Sequence, residues 1–398
     1  MRMLKVLHKQ VLSSVPGLHA KRATALMAAV QSLLQGAFLT VTALGRGLRG
    51  PTATKHNIKR MDRLLSNPQL HAERLAIYRA LCQRLCQHLP RPLILVDWSD
   101  IVEQHRLLLI RAALVVEGRA IPLFEAVYPL KHYNSPRTHR RFLAELKTLL
   151  PAHCRPILIT DAGFRGPWFA AVERLGWHWI GRIRNMVNYR LDNDPHWRQT
   201  CSLYPTARAK PVYLGPAELS SKHPYACHLY LYKKRPQHRH AKRSTRHLAK
   251  HSTSAVFAKQ QRDPWLIATN LNPDRFSPAQ IIALYGKRMQ IEAAFRDLKS
   301  DQFGFGMTLS RSQNIDRLNV LLLVAALATL CLWWIGLHAR QQGWQRRFQA
   351  NTTTHRHVLS ALFLALQVVK RYAHILTATE LIHAHKDLLA HIADAHSL

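Results

Sequence analysis

The chain has 398 residues, with 57 Lys and Arg against 22 Asp and Glu, a formal net charge of +35. Such an excess goes far beyond what solubility needs and attracts polyanions, nucleic acid before an anionic membrane. No block of Lys or Arg dominates, so the charge belongs to folded surfaces more than to a disordered tail, and the length fits two or three domains around a large core.

Residues 1–88 read as helical, and the opening MRMLKVLHKQVLSSVPGLHAK has no apolar stretch of a secretory signal. The run FLTVTALGRGLRGPTATKHNIKRMDRLLSN has the layout of a helix-turn-helix. Gly45, Gly47, Gly50 and Pro51 break the chain there, and Thr52 or Thr54 is the expected cap of the second helix. That helix lines up Lys55, Lys59 and Arg63, with His56 and Arg60 alongside. A basic face so placed enters a major groove, or is only a solvated surface. The sequence leaves both readings open.

From Pro92 the texture changes. LILVDW is an apolar run ending in an acid. RLLLIRAALVV and RAIPLFEAVY follow as strand-like runs, joined by a turn at Glu117-Gly118. Residues 138–150 read as an amphipathic helix, PILITD at 156–161 as a second apolar run ending in an acid, then a helix from Pro167 and a strand near 177–184. This order predicts an α/β fold with a mixed sheet. Residues 185–275 break the rhythm: the stretch is strand-poor in pattern, and KKRPQHRHAKRSTRHLAKH suggests a basic loop near DNA. DPWLIATNL at 263–271 restores a strand, and everything after 316 looks helical.

Leu318 to Leu337 is as long and apolar as a bilayer span. Because it follows a polar, basic helix closely, a core helix or a subunit contact is the preferred reading, and no membrane partner is expected. The six cysteines, at 82, 86, 154, 201, 227 and 331, lack zinc-site spacing and are expected to be free, buried thiols of a reducing cytosol.

The segment IIALYGKRMQIEAAFRDLKS predicts one helix on which Tyr285, Arg288, Glu292 and Lys299 share a narrow stripe. An acid among cations and a phenol suits phosphodiester chemistry, although ordinary charge pairs on a solvated face give the same spacing. Asp97 and Asp161 each follow an apolar strand, where α/β sheets present ligands. Three hard oxygen donors suit divalent cations. The plainer reading is that each aspartate caps a turn.

VDWSD, ITDAGFRGPW, LGWHWIGRIR, KHNIKRMDRLL and YGKRMQIEAAFRDLKS together resemble the DDE transposases of bacterial insertion sequences that bear a Tyr-Arg-Glu-Lys signature. The likeness runs over nearly the whole chain and is closest to the cut-and-paste enzyme of the composite tetracycline-resistance transposon. It implies a ribonuclease-H-like catalytic core over 89–315 with a β-rich insertion at about 185–275. A helical DNA-binding domain (1–88) would precede it, and a helical C-terminal region (316–398) would supply a protomer contact. Asp97, Asp161 and Glu292 would be the catalytic, metal-holding triad, with two Mg2+ ions and Mn2+ as the substitute. Tyr285, Arg288 and Lys299 would hold phosphates and a flipped base, and Trp265 would stack on that base. Met289 stands where some relatives carry a second aromatic. The partners implied are double-stranded DNA (terminal inverted repeats and target) and a second copy in a synaptic complex. The setting would be the bacterial cytoplasm, at the nucleoid.

Overall fold

The computed structural model describes residues 2–10, 12–15, 17–102, 107–184, 186–234, 263–353, 355–356, 358–372 and 376–397. By contacts the chain forms two units, one of Met1–Pro156 with Met289–Leu398 and one of Ile157–Arg288. It is a mixed α/β protein, with strands in both units and most helices in the first.

The first unit opens with α1 (Arg2–Gln10), α2 (Ala20–Leu34), α3 (Val41–Arg46), α4 (Thr54–Leu65) and α5 (Pro68–Cys86). The expected helix pair is α3 and α4, but two details differ. Gly45 lies inside α3, and a Cβ there would come within 2.5 Å of the Ile58 Cα, so glycine lets the two helices close. Ala53, rather than Thr52 or Thr54, is the N-cap of α4, with no side chain bonded to the helix end.

Next come β1 (Leu93–Val102), β2 (Leu107–Val115) and β3 (Ala120–Pro129), antiparallel in the order β3-β2-β1. Gly118, at φ 71°, makes the turn expected at Glu117-Gly118. β2 is buried along its whole length, as is most of β3. α6 (Pro136–Leu149) follows, and the chain returns to this unit with α9 (Met289–Lys299), α10 (Ile315–Gln341), α11 (Ala361–Tyr372) and α12 (Ala378–Ala395). The apolar stretch of α10 is wholly buried against α2, α5, β3, α11 and α12, so it is the core helix of its unit. Trp333 and Trp334 within it are completely buried. At Gly336 a Cβ would meet the Ala361 carbonyl oxygen at 2.2 Å, which marks how closely α10 and α11 cross.

The second unit holds β4 (Ile157–Thr160), α7 (Gly166–Glu173), β5 (His178–Ile183), β6 (Asn188–Leu191), β7 (Arg198–Gln199), β8 (Val212–Leu219), β9 (Tyr225–Tyr232), β10 (Trp265–Thr269) and α8 (Pro278–Gly286). Its strands run in the order β4-β5-β10-β9-β8-β6-β7. β4 and β5 are parallel, while the remaining pairs are antiparallel. The region read as strand-poor therefore contributes β6 to β9. β6 and β7 are short, and in β9 Cys227, Leu229 and Leu231 are buried on one face while on the other Ala226 is exposed and only Tyr230 is fully buried. The basic run at 235–251 lies outside the described residues. The six cysteines are free thiols as expected, and five are buried, but Cys201 is exposed, contrary to the expectation.

Candidate active site

In the first unit the carboxylates are placed by strand register and helix packing. Asp97 is interior to β1, opposite Arg111 of β2, and the ladder continues to Val102. It therefore does not end its strand, contrary to the expectation from LILVDW. Its Oδ1 accepts the Trp98 backbone N–H at 2.8 Å. Neighbouring residues on a strand face opposite ways, and Trp98 is anchored on its own side. Its indole N–H donates to His139 Nε2 at 3.2 Å, and its ring meets Tyr128 and Tyr133 edge-on. Burial lowers the His139 pKa to about 4, so the ring is neutral and can accept that bond.

Glu292 is exposed in the first turn of α9, the helix that packs on β1 and β3. The β2–β3 hairpin fastens that helix at three points. Gln290 exchanges two hydrogen bonds with the Val116 backbone, at 3.1 and 3.0 Å. Arg119 pairs with Asp297 at 2.7 Å, and the Arg111 guanidinium lies 4.7 Å from the centre of the Phe295 ring. Burial nonetheless leaves the Asp297 carboxyl above its ordinary pKa, because it outweighs the pull of Arg119. Lys299 is the last residue of α9.

In the second unit Asp161 directly follows β4, as expected, and its Oδ1 accepts the Gly163 N–H at 2.8 Å. The turn-opening role is thus real, and it also fixes the carboxylate. Tyr285 is buried on α8 at 3% exposure. Burial raises its phenol pKa; Arg288, hydrogen-bonded to it, and Arg182 pull it back, while Asp161 adds to the rise. Arg182 sits on β5 opposite Ile267 and donates to the carbonyls of Asp263 and Pro264 at 3.1 and 3.3 Å. Its Nε is buried with no partner among the described residues, and burial lowers its pKa. Trp265 is half-buried, 5.0 Å from Tyr285 in an edge-on arrangement, with the Lys234 ammonium 6.0 Å from its ring centre.

The single polar stripe expected from Tyr285 to Lys299 does not form. α8 ends at Gly286 and α9 begins at Met289, so Tyr285 and Arg288 belong to one unit and Glu292 and Lys299 to the other. Gly286 was the signal for that break. Met289 is half-exposed at the start of α9. On α4, Lys55, His56, Lys59 and Arg63 are exposed and Arg60 is partly so, leaving a basic face. Sequence reasoning passed over Arg111 and Arg182, each a cation inside an otherwise apolar strand.

Carboxylates on an α/β framework, with a phenol and guanidinium groups around one of them, suit chemistry on phosphate esters. The profile of the Transposase DDE domain matches residues 90–329, more than half of the chain. The chain belongs to that family: it is a DDE transposase, an enzyme that cleaves DNA. Among solved structures it is similar to the cryo-EM structure of the piggyBac transposase synaptic complex with hairpin DNA. That likeness has 8% identity and a TM-score of 0.40 over 100% of this chain and 80% of the other. No curated protein matches the chain.

DDE transposases use divalent metal ions. Asp97, Asp161 and Glu292 offer the hard oxygen donors that suit such cations. Among the described residues no group of three His, Cys, Asp or Glu side chains is gathered that could hold a metal ion. The fit therefore rests on donor chemistry.

Proposed function

We propose that this transposase moves its element by cut and paste, with Asp97, Asp161 and Glu292 as its catalytic acids. The observation that carries this reading is the family match across 90–329, which spans all three acids and the Tyr285, Arg288 and Lys299 positions. The motifs favour the Tyr-Arg-Glu-Lys group, a ribonuclease-H-like core and a relationship to the tetracycline-resistance transposon enzyme. The acids would hold two Mg2+ ions, or Mn2+ in their place, which when bound neutralise phosphate charge and activate an oxygen nucleophile.

The chemistry is a series of in-line displacements at phosphorus, in which positioning does most of the work. Water hydrolyses one phosphodiester at the element end and leaves a 3′-hydroxyl. That hydroxyl attacks the opposite strand, expelling the flanking 3′-oxygen and closing a hairpin. A second water reopens the hairpin, and the regenerated 3′-hydroxyl joins target DNA. Tyr285, Arg288 and Lys299 hold phosphates through these steps, and Trp265 offers a face to an extruded base. The α4 residues Lys55, His56, Lys59, Arg60 and Arg63 grip the terminal repeat within a DNA-binding region over 1–88. Two copies act together on two ends at the bacterial nucleoid, with the C-terminal helices as their contact.

The test is a denaturing gel of a duplex carrying the terminal inverted repeat and its flank, incubated with protein and Mg2+. Wild type should give a nick at the repeat boundary and then a hairpin. Asp161→Asn and an EDTA control should give neither. Duplex binding without cleavage in Mg2+ or Mn2+ would sink the catalytic assignment.

A further inference from the structure

Two charged residues interrupt the apolar strands beside Asp97. Arg111 in β2 is 2% exposed and Glu125 in β3 is 0% exposed. Register makes them a row: Asp97 lies opposite Arg111, and Arg111 lies opposite Glu125. Directly opposed residues of antiparallel strands share a face, with Cβ atoms about 4.5–5.5 Å apart. Arg111 donates from Nε and Nη2 to Glu125 Oε1 at 2.8 and 2.6 Å. Tyr78 donates to the other oxygen at 3.3 Å, so the glutamate is held on both sides. Over the row lies Phe295, three residues beyond Glu292 on α9, with Arg111 against its ring. The remaining guanidinium nitrogen, Nη1, is buried without a hydrogen-bond partner among the described residues.

A buried ion pair rarely adds stability over apolar side chains of similar volume. Stability alone therefore gives no reason to place one in the two strands beside the strand that carries Asp97, with Arg111 against the helix that carries Glu292. We propose that Arg111 is a positioning residue for strand cleavage: with Glu125 as its anchor, it fixes Asp97 and the Glu292 helix at one spacing. The inference rests on the assignment of Asp97 and Glu292 as catalytic acids. Groups outside direct contact with the reacting atoms that orient catalytic carboxylates typically matter by about ten-fold to a hundred-fold.

The experiment uses the full chain and the terminal-repeat duplex, with Arg111→Met/Glu125→Leu, Arg111→Lys and Asp97→Ala beside wild type. Melting temperature, duplex affinity, single-turnover nicking rate and binding of Mn2+ alone, by loss of the free-ion EPR signal, are read for each. The double variant should melt near wild type and bind duplex equally well. It should nick about ten-fold more slowly or worse, and bind Mn2+ more weakly. Arg111→Lys, which keeps the charge and loses the fork, should fall between. A folded double variant with wild-type nicking and wild-type Mn2+ binding would overturn the proposal. Should the double variant melt early, Arg111→Lys decides: slower nicking by folded protein supports the proposal, and an unchanged rate overturns it. If instead Asp97→Ala nicks like wild type, the carboxylate assignment has failed, a result plainly different from the failure of Arg111 alone.

Discussion

The two units hold their charged groups in different surroundings. In the first, Asp97 is positioned by a strand ladder and Glu292 by a helix packed on that sheet, over a core with α10 at its centre. In the second, Tyr285 is buried on α8 with Arg288 hydrogen-bonded to it, and Arg182, held in the β5–β10 ladder, keeps a buried Nε with no partner among the described residues. Acids that must keep a fixed separation are well served by a backbone ladder, which moves only in whole steps. A flexible polyanion is better met by multi-donor side chains that can still adjust. The comparison predicts that loss of a core side chain in the first unit unfolds it, whereas loss of Trp265 in the second alters how DNA is handled.

The sharpest check is Trp333→Ala. Full burial in α10 predicts a loss of about 3–5 kcal/mol, seen as a large fall in melting temperature. A melt unchanged from wild type would contradict the central role given to α10.

Acid should weaken the first unit next. Burial lowers both His139 and His385 to about 4. The unfolded chain takes up these protons near pH 6.5, before the fold does. Stability is therefore complete above about pH 6.5 and declines as pH falls toward 4, by roughly 3 kcal/mol per histidine at most. Melting curves from pH 7 to 4 should show the decline. His139→Gln, which still offers the Trp98 indole an acceptor, should make it shallower; an equally steep profile would remove His139 from the account.

Trp265→Ala in the second unit tests the other side. The ring is only half-buried, so the melt should move little. Losing one stacked base should cost the hairpin-forming step about 1–3 kcal/mol while the first nick survives. Equal slowing of both steps would argue that Trp265 serves the fold.

Much of this architecture could be read from residue order. β2, β3 and the turn between them follow from two apolar runs around Glu117-Gly118, and the buried state of α10 follows from its composition. Less visible was the extent of β1, because Trp98, Ser99 and Asp100 look like the polar end of a strand. Their pairing with Ile110, Leu109 and Leu108 depends on the partner strand rather than on their own character. The residue pattern did not show β6 to β9, which only the family resemblance implied as a β-rich insertion, because strands that mix buried and solvated positions carry little continuous apolar signal. The candidate residues themselves were legible one by one; their division between two units was not, since only Gly286 hinted at it. Arg111 and Glu125 were passed over, although the sequence carried a signal for them. A lone cation and a lone anion in neighbouring apolar strands each need a partner, and register supplies it.

The placement of Asp97 inside a paired strand has a consequence for length. A strand has parity: odd and even positions belong to opposite faces, so inserting one residue before Asp97 would move it into the place of Trp98 and turn every later residue to the other face, unless a bulge absorbed the change. An acid would then face the aromatic cluster of His139, Tyr128 and Tyr133, the inserted residue would stand in the row of Arg111 and Glu125, and the indole would turn to that same face one pleat further on, opposite Leu109. Inserting two residues would restore the parity and shift the acid by one full pleat. Along β1, the number of residues matters modulo two before it matters in ångströms.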